Sequence, residues 1–434
     1  MAKKIQKWYR LDNSAKIYPM MSNKKNQNIF RLTFFMKQEV EPEFLQQALE
    51  QTLERFPSFK VKLMKGLFWY YFDYNDMKPE VYPLDPVAMR KFTHTSCHEY
   101  CFRISYYRNL IVADFFHAIC DGSGGAEFMK SLVYTYLNLQ GHNIHSDHKI
   151  LTVGSPIDPK ELEDSFLTNY KKVKLKDLDI NSMKGKKAYL INGIMFDDGG
   201  VGITHLYCNI KDILAISKSK GCTLTELLGA IYILSIYEAQ IKDQVQDPND
   251  ISLMCPINLR KIFGSKTLKN FSLFSRVNAD PKTDMDMDVL IKRMHECLKR
   301  DMDKETLSKK ISTTVRGEKF IPMRIMPLFL KQFIFKISNL FIGKNKKTAT
   351  LSNVGIVNLP EDMRPYVKNA AFGISVNSTT PYSLTATTTF ETLCLTFTRC
   401  ITSTDIELCF VKHLQELGLD VSVNSNMWEV NNAL

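Results

Sequence analysis

The chain has 434 residues, of which 44% are hydrophobic and 24% are charged, a globular composition that excludes a disordered or fibrous protein. The net charge of +11 favours an anionic partner, such as nucleic acid, an acidic membrane surface, an acidic carrier protein or a phosphorylated cofactor. Ten scattered cysteines, an N-terminus without an apolar signal core and the lack of a long uncharged apolar stretch predict a cytoplasmic protein without a transmembrane helix.

The first half of the chain alternates between strand and helix patterns. Runs rich in β-branched and aromatic residues predict five strands, at 28–37, 59–63, 67–72, 101–107 and 110–116. A helix is predicted from Pro42 to Phe56, and another after the glycine-rich turn DGSGG at 121–125. His117 therefore falls at a strand end, directly before this turn. The polar residues 141–187 predict a long surface connection with one or two short helices.

The second half repeats this alternation. Strands are predicted at 188–196, 201–210, 251–260, 271–279, 349–357, 370–378, 391–399 and 405–410, and residues 381–390 are interpreted as a strand with a polar face. Helices are predicted over 211–219, 224–240 and about 286–304. Thr223 and Glu226 have the spacing of a capping box for the second of these helices. The repeated order predicts a mixed α/β fold with two sheet-containing halves.

Four residues of the types that bind zinc lie close together in the segment HTSCHEYC. They are His94, Cys97, His98 and Cys101. The segment runs directly into CFRISYY, which has a strand pattern, and short two-arm zinc sites carry their second ligand pair further along the chain. We therefore interpret the segment as the approach to a strand and predict no metal site.

The segment FFHAICDGSGG at 115–125 carries the clearest indication of chemistry. The imidazole of His117 can gain and lose a proton near neutral pH. Asp121 follows four residues later. The loop can curl so that the Asp121 carboxylate binds Nδ1 of His117, or the carboxylate can bind a cation that stabilises the loop. The glycines of the segment allow positive φ and close backbone approach. From spacing alone, His117 can equally be a satisfied core residue and DGSGG an ordinary helix entry.

The pattern HxxxDG, with a strand before it and an apolar helix after it, resembles the active-site signature of the chloramphenicol acetyltransferase-like superfamily of CoA-dependent acyltransferases. This superfamily includes peptide-synthetase condensation domains. The segment FHAICDGSGGAEFMKSLVYTYL is most similar to the bacterial alcohol acetyltransferase branch, and WYRLDNSAKIYPM and SNVGIVNLP extend the resemblance over nearly the whole chain. The resemblance implies two acetyltransferase-like subdomains, 1–185 and 186–434, with an active-site tunnel between them.

The same resemblance implies an acyltransferase that moves an acyl group from acyl-CoA or an acyl carrier protein to a hydroxyl or amine acceptor. The thioester is a co-substrate, no permanently bound cofactor is needed, and we expect a monomer. The site residues that the resemblance implies are His117 as general base, Asp121 and Gly122 in the motif, and Ser352 and Asn353 as donors to the oxyanion.

Two positions connect this resemblance to the rest of the chain. Asp121 is expected to form a buried, architectural ion pair with Arg260, although Arg260 can equally be an exposed cation at a strand end. Phe116 stands where many relatives carry a first histidine, as in HHxxxDG. Because of this departure, the identity of the acceptor is not carried over from the relatives. It also leaves open the alternative that the chain is a catalytically silent binding or scaffold member of the same fold. An antibiotic-type acetyltransferase with small acceptors is disfavoured, because such enzymes are much shorter.

The basic, phenylalanine-rich residues 319–347 have two interpretations. An amphipathic helix of this kind can lie on an anionic membrane, which would make the protein membrane-peripheral. It can also pack its apolar face on the core and offer its cations to a phosphorylated carrier, and we favour this packing. The basic residues are otherwise spread along the chain without the motif of a nucleic-acid module, so we expect no nucleic-acid partner.

Overall fold

The computed structural model describes residues 8–22, 27–92, 96–172, 187–243, 248–338 and 347–426. The strands within these residues are β1 (Trp8–Arg10), β2 (Ile29–Met36), β3 (Val61–Lys65), β4 (Tyr70–Tyr74), β5 (Val81–Pro83), β6 (Phe102–Tyr107), β7 (Leu110–Phe116), β8 (Gly202–Asn209), β9 (Ile251–Asn258), β10 (Ser272–Ala279), β11 (Ala349–Ile356), β12 (Val367–Ile374), β13 (Tyr382–Thr389), β14 (Thr392–Arg399) and β15 (Ser422–Ser425). The helices are α1 (Ile17–Met21), α2 (Pro42–Arg55), α3 (Gly122–Leu139), α4 (Ser165–Thr168), α5 (Ile210–Ser219), α6 (Leu224–Gln240), α7 (Arg260–Phe263), α8 (Met287–Asp301), α9 (Lys304–Lys319), α10 (Ile321–Ile325), α11 (Leu328–Ser338) and α12 (Asp405–Glu416).

The strands form three sheets. A small antiparallel sheet has the order β1-β4-β3, and a five-stranded sheet has the order β12-β2-β7-β6-β5. The largest sheet has seven strands in the order β10-β9-β11-β13-β14-β8-β15. Within it, β11 runs parallel to both of its neighbours, whereas β14 is antiparallel to β13 on one side and to β8 on the other. This mixed, two-lobed architecture confirms the predicted fold class.

Each of the two large sheets is covered by helices on one face. In the first lobe, α2 and α3 cover the five-stranded sheet around an aromatic core that includes Phe59, Phe115 and Phe128. In the second lobe, α6, α8 and α12 pack with the seven-stranded sheet. The predicted capping box of α6 is present: the Thr223 N–H donates to Glu226 at 2.7 Å, and the Glu226 N–H donates to the Thr223 hydroxyl at 3.3 Å.

The first sheet is completed by a strand from the second half of the sequence. Strand β12 pairs antiparallel with β2, so the sheet that carries His117 joins both halves of the chain. β12 also packs against β13 and β14 of the large sheet. The predicted boundary between residues 185 and 186 falls at the edge of a segment that lies outside the described residues, and it stays a prediction.

The predicted strand at 405–410 is wrong. The segment DIELCF begins α12, whose buried residues Ile406, Phe410 and Leu414 recur at helical spacing. Asp405 lies in the first turn, where a negative charge favours the helix dipole. Six residues are too few to distinguish alternation from a helical repeat, and the helix becomes evident only from the residues that follow.

The predicted strand at 188–196 is also wrong. This segment makes only isolated bridges, from Ala188 to Asp250 and from Met195 to Ile401. The strand predicted next to it is present as β8, but it pairs with β14 and β15 rather than with a hairpin partner. Pairing with distant strands therefore replaces the local hairpin that the sequence pattern predicts.

Two further segments differ in detail from their predictions. All eight residues of β13 are buried, so its hydroxyl-rich face is covered by protein; Ser383, for example, hydrogen-bonds to Thr398 at 2.6 Å. The approach to β6 is a short helical turn, Ser96–Glu99, in which Cys97 and His98 have positive φ. His94 lies outside the described residues.

The prediction that residues 319–347 pack their apolar face on the core is wrong for the described part. Helices α10 and α11 turn most of their large apolar side chains outward. Helix α9, which precedes them, is not evident in the sequence pattern. Among the described residues, no single helix is long and apolar enough to cross a membrane; α5 and α6 together have that length and composition but meet at a bend of 86°.

Candidate active site

His117 lies directly after β7, where the pairing of β2 and β7 ends. Its backbone N–H donates to the Asn28 carbonyl at 2.9 Å. The imidazole stacks on the Tyr18 ring with 4.4 Å between the ring centroids, and the Phe30 ring meets it edge-on at 5.3 Å. The residue is half-buried. The ring is thus held between aromatic side chains while part of the residue stays accessible.

The tautomer of His117 is set by a hydrogen-bonded chain that begins at Asp12. Nδ1 of His117 lies 3.0 Å from Oδ1 of Asn270. The Asn270 amide is oriented by Asp12, whose Oδ2 accepts from Nδ2 at 3.1 Å and from the Asn270 backbone N–H at 3.2 Å. Because an ionised carboxylate only accepts, the amide oxygen faces His117 and requires a proton on Nδ1. In the neutral ring, Nε2 then carries the free lone pair.

The Asp12 carboxylate is held by further hydrogen-bond donors. It is buried and also accepts from the Ala15 N–H at 2.7 Å and from the Ser14 hydroxyl at 3.1 Å. Burial raises the pKa of Asp12 above its ordinary value, and the hydrogen bonds from Ala15 and Asn270 act against burial. Its role is missed by sequence reasoning, because Asp12 and Asn270 are 258 positions apart and form no local motif. The one signal in the sequence is the N-terminal segment WYRLDNSAKIYPM, which contains Asp12 and Tyr18.

The electrostatic surroundings of His117 favour the neutral ring. Burial lowers the pKa of His117 below its ordinary value of 6.5, while the nearby Asp121 carboxylate acts in the opposite direction. A lowered pKa means that the ring is unprotonated at neutral pH. His117 therefore has the protonation state and the exposed position that a general base requires.

Asp121 does not hydrogen-bond to His117, so the first of its two predicted arrangements is not formed. It forms the other: Arg260 donates from Nη1 to Oδ2 at 2.8 Å and from Nη2 to Oδ1 at 2.9 Å. Burial raises the pKa of Asp121, but the Arg260 charge and the hydrogen bonds outweigh it and hold the pKa below its usual value. Arg260 opens α7 just beyond β9, so the pair links the two halves of the chain.

This ion pair also holds the loop that carries Asn270. Arg260 donates from Nε to the Thr267 carbonyl at 2.8 Å and from Nη2 to the Lys269 carbonyl. Asp121 accepts from the Phe271 N–H at 2.9 Å. The backbone on both sides of Asn270 is therefore fixed by Asp121 and Arg260. The pair thus acts on His117 through the loop and not through direct contact.

The glycines of the motif allow close packing, and they do not adopt positive φ. Gly122, Gly124 and Gly125 all lie in the first turn of α3, and none of them has positive φ. A Cβ at Gly124 would overlap the Leu268 carbonyl oxygen, and one at Gly125 would lie 2.9 Å from the Phe30 ring. The prediction of close approach is confirmed and that of positive φ is wrong. The helix begins at Asp121, whose Oδ1 accepts from the Gly124 N–H at 3.1 Å.

The structure does not join Ser352 and Asn353 to His117 by any described contact. Both lie on β11, and Ser352 is buried. The Asn353 amide donates to the Thr225 hydroxyl at 3.0 Å, and its oxygen accepts from the Gly355 N–H at 2.9 Å. Their role toward an oxyanion stays a prediction. Phe116, at the position of the first histidine in many relatives, is a buried residue at the end of β7.

A cavity of about 480 Å³ lies between the two large sheets. Arg31 on β2, His205 on β8 and Asn369 on β12 all contribute to its lining. Oδ1 of Asn369 is buried and has no hydrogen-bond partner among the described residues. Phe372 also lines the cavity; its ring lies 5.5 Å from that of Phe30, which contacts His117. His117 does not line the cavity, and the rings of Phe372 and Phe30 lie between the two.

The described residues contain no cluster of histidine, cysteine, aspartate or glutamate suited to a metal ion. Within HTSCHEYC, His98 Nδ1 is 2.7 Å from the Lys78 carbonyl, and Cys101 is buried with a pKa that burial raises to about 12. All ten cysteines of the chain are free thiols.

Replacement of Asn270 by Leu is expected to lower kcat by about 100-fold, because Leu cannot hold the proton on Nδ1 of His117. The hydrogen bond from Nδ1 of His117 to Asn270 raises the pKa of His117, so its loss should also move the acid limb of the pH profile to lower pH. Asp12→Asn should shift both quantities in the same direction, since it frees the Asn270 amide to flip. A kcat and a pH profile that match the unaltered protein would contradict this role.

Residues 161–413, more than half of the chain, match the model of a protein family described as alcohol acetyltransferase. This span contains Arg260, Asn270, Ser352 and Asn353 but ends short of His117 on the N-terminal side. No curated protein sequence matches the chain.

Several solved structures share the whole fold at low sequence identity. TRI101 of Fusarium sporotrichioides, complexed with coenzyme A and T-2, has a TM-score of 0.64 and 9% identity over 95% of this chain and 99% of its own. Polyketide synthase associated protein 5 of Mycobacterium tuberculosis has a TM-score of 0.60 and 13% identity over 93% and 96%. The starter condensation domain of rhizomide synthetase, in complex with C8-CoA, has a TM-score of 0.57 and 12% identity over 95% of each chain. At these identities the likeness shows the fold.

Proposed function

The chain belongs to the alcohol acetyltransferase family, and on that premise we propose that it transfers an acyl group from acyl-CoA to a hydroxyl or amine acceptor with His117 as the general base. The family match agrees with the resemblance that the sequence motifs indicate. The observation that carries the proposal is the half-buried, neutral His117, whose Nδ1 is occupied by Asn270 and whose Nε2 is left to accept a proton.

The reaction follows from these groups. Nε2 of His117 removes the proton of the acceptor as the acceptor atom attacks the thioester carbonyl carbon. The carbonyl oxygen becomes an oxyanion, for which Ser352 and Asn353 are the predicted donors. The C–S bond then breaks, the acyl group stays on the acceptor, and the imidazolium returns its proton to the thiolate. The Asp121–Arg260 pair takes no proton in this sequence and holds the loop of Asn270 in place.

Two observations support CoA as the carrier. The structures of TRI101 and of the rhizomide synthetase domain, which share the fold, contain CoA species. The net charge of +11 suits a phosphorylated co-substrate. An acyl carrier protein is also acidic, so the positive net charge suits it as well, and it remains the second candidate for the carrier.

We propose that the cavity between the sheets holds the body of the acceptor, whose reacting group extends past Phe372 and Phe30 toward His117. It combines apolar walls such as Val112 with polar groups, and Asn369 presents an unpaired carbonyl oxygen. A buried acceptor oxygen without a partner is unfavourable unless a ligand donates to it. The lining therefore fits an acceptor with an apolar body and a hydroxyl or amine besides the reacting one, rather than a plain hydrocarbon chain.

The test measures thiol release from acetyl-CoA and octanoyl-CoA, with and without a panel of alcohols and amines. We expect the unaltered protein to release CoA faster when a suitable acceptor is present. Asn369→Leu should raise the KM for that acceptor about tenfold, because a hydrogen bond to the acceptor is lost, and should leave the slow hydrolysis of acyl-CoA unchanged.

The outcomes separate the two parts of the proposal. No thiol release with either donor would favour the alternative of a catalytically silent scaffold and overturn the transferase. Release with an unchanged acceptor KM in Asn369→Leu would overturn only the acceptor site. The cytoplasmic location and the monomeric state stay predictions. The ten free thiols support the predicted location.

A further inference from the structure

We propose that helices α10 and α11, together with the tip of the β3–β4 hairpin, form a surface that docks on an anionic lipid membrane. This inference goes beyond acyl transfer and does not depend on it. The surface, called here the outer patch, consists of large apolar side chains that are each between 41% and 71% exposed: Leu67, Phe68, Phe320, Ile321, Ile325, Phe329, Leu330, Phe333 and Ile334. An exposed apolar cluster of this size marks an interaction site.

Helix α11 is oriented with its apolar face outward. Its inner face contains Lys331, which is fully buried, donates to the Phe68 carbonyl at 2.7 Å and lies 3.6 Å from the centroid of the Trp69 ring. The next residue, Gln332, donates to the Tyr70 hydroxyl at 2.8 Å. A helix on a globular protein ordinarily turns its apolar stripe inward. Here specific polar contacts hold the opposite orientation, so the outward aromatic residues are part of the fold.

The hairpin tip and the helix form one surface. The Leu328 N–H donates to the Leu67 carbonyl at 2.8 Å, which places the exposed Leu67 and Phe68 beside the start of α11. Two segments that are about 260 positions apart in the sequence, as the Lys331 contact shows, therefore present their apolar side chains next to each other. A patch made by one helix can be fortuitous, whereas this patch is assembled and fixed by hydrogen bonds between its parts.

The charge around the outer patch selects an anionic occupant. The described residues 319–338 contain four Lys and Arg residues, one of which is the inner Lys331, and no Asp or Glu. Arg324 on α10 and Lys65 beside the hairpin tip are exposed cations. Phenylalanine and isoleucine on the face of a helix, flanked by exposed cations, match an amphipathic helix that lies in the membrane interface. A second copy of this chain would bring the same acid-free segment against itself.

The experiment is flotation of the full-length protein with lipid vesicles. We expect binding to phosphatidylcholine vesicles that contain about 30 mol% phosphatidylserine, and at least about tenfold weaker binding to pure phosphatidylcholine. The double substitution Phe329→Glu with Phe333→Glu should reduce binding to the anionic vesicles by about tenfold or more, because it places two negative charges on the outer patch.

A matched control uses exposed apolar residues away from the outer patch. Val289→Glu with Leu408→Glu changes side chains on α8 and α12 that are 42% and 53% exposed, and it should leave vesicle binding unchanged. Since all four positions are exposed, the thermal unfolding of both variants should match that of the unaltered protein. Failure to bind the anionic vesicles, or equal losses in the two variants, would overturn the proposal. Self-association that Phe329→Glu with Phe333→Glu abolishes, without vesicle binding, would identify a dimer interface instead and also overturn it.

Discussion

His117→Ala is expected to lower acyl transfer by about 10²- to 10⁴-fold, because it removes the group that takes the proton from the acceptor. The loss should appear in kcat, since the ring is not needed to hold CoA. Turnover is measured as thiol release from the acyl-CoA that the unaltered protein uses, at saturating acceptor. Because His117 is only half-buried, Ala at this position should not unfold the protein.

His413 provides the matched control for this substitution. It is also a half-buried histidine, its Nε2 lies 3.0 Å from a Glu238 carboxylate oxygen, and it does not line the cavity. His413→Gln should keep kcat within about threefold, because it leaves the general base in place. Undiminished turnover in His117→Ala, or equal losses in both variants, would contradict the role of His117.

The pH profile gives an independent readout of the same group. Burial lowers the pKa of His117 below its ordinary value, so the base form persists as the pH falls below 6.5. The transfer rate should therefore be level above pH 6.5 and fall on a limb centred at lower pH, where Nε2 becomes protonated. A limb centred above 6.5 would indicate that another group limits the rate.

The sequence and the structure agree where the pattern is local. The strand before His117, the helix after DGSGG and the capping box at Thr223 each follow from residues within one or two turns of each other. The pairing of Asp121 with Arg260 is not local, and it was accessible only through the resemblance of the motif to known acyltransferases. Helix α12 was missed because six residues fit either periodicity.

The parts of the site that sequence reasoning missed depend on contacts between distant segments. Asn270 lies 153 positions from His117, and Asp12 lies 258 positions from Asn270, so no spacing rule connects them. The cavity is lined by strands of two sheets, and β12 reaches the first sheet from the second half of the chain. The outward orientation of α11 is set by Lys331 at the hairpin backbone, a contact that periodicity cannot reveal.

Asp121→Ala is expected to lower the free energy of unfolding by about 3 kcal/mol and to lower activity as well. The substitution leaves the Arg260 guanidinium, which is only 14% exposed, without its carboxylate, and it removes the acceptor of the Phe271 and Gly124 N–H groups. Chemical denaturation of the two proteins measures the difference. The loop of Asn270 loses one of its supports at the same time, which is why activity should fall although Asp121 does not touch the imidazole.

An exposed ion pair supplies the comparison that assigns this loss to burial. Glu361 and Arg364 form a pair at 2.7 Å on the surface, and Glu361→Ala should leave the free energy of unfolding nearly unchanged, because solvent screens the pair. The stability of the unaltered protein should also depend on pH through Asp121. The pKa of Asp121 is lower in the folded protein than in the unfolded chain. Its contribution to the free energy of unfolding is therefore full above the pKa of the unfolded chain and is lost as the pH falls through the pKa of the folded protein. Asp121→Ala should therefore lose less stability than the unaltered protein on acidification. An Asp121→Ala protein as stable as the unaltered one would show that Arg260 is satisfied without the carboxylate, and it would contradict the stabilising role of this ion pair.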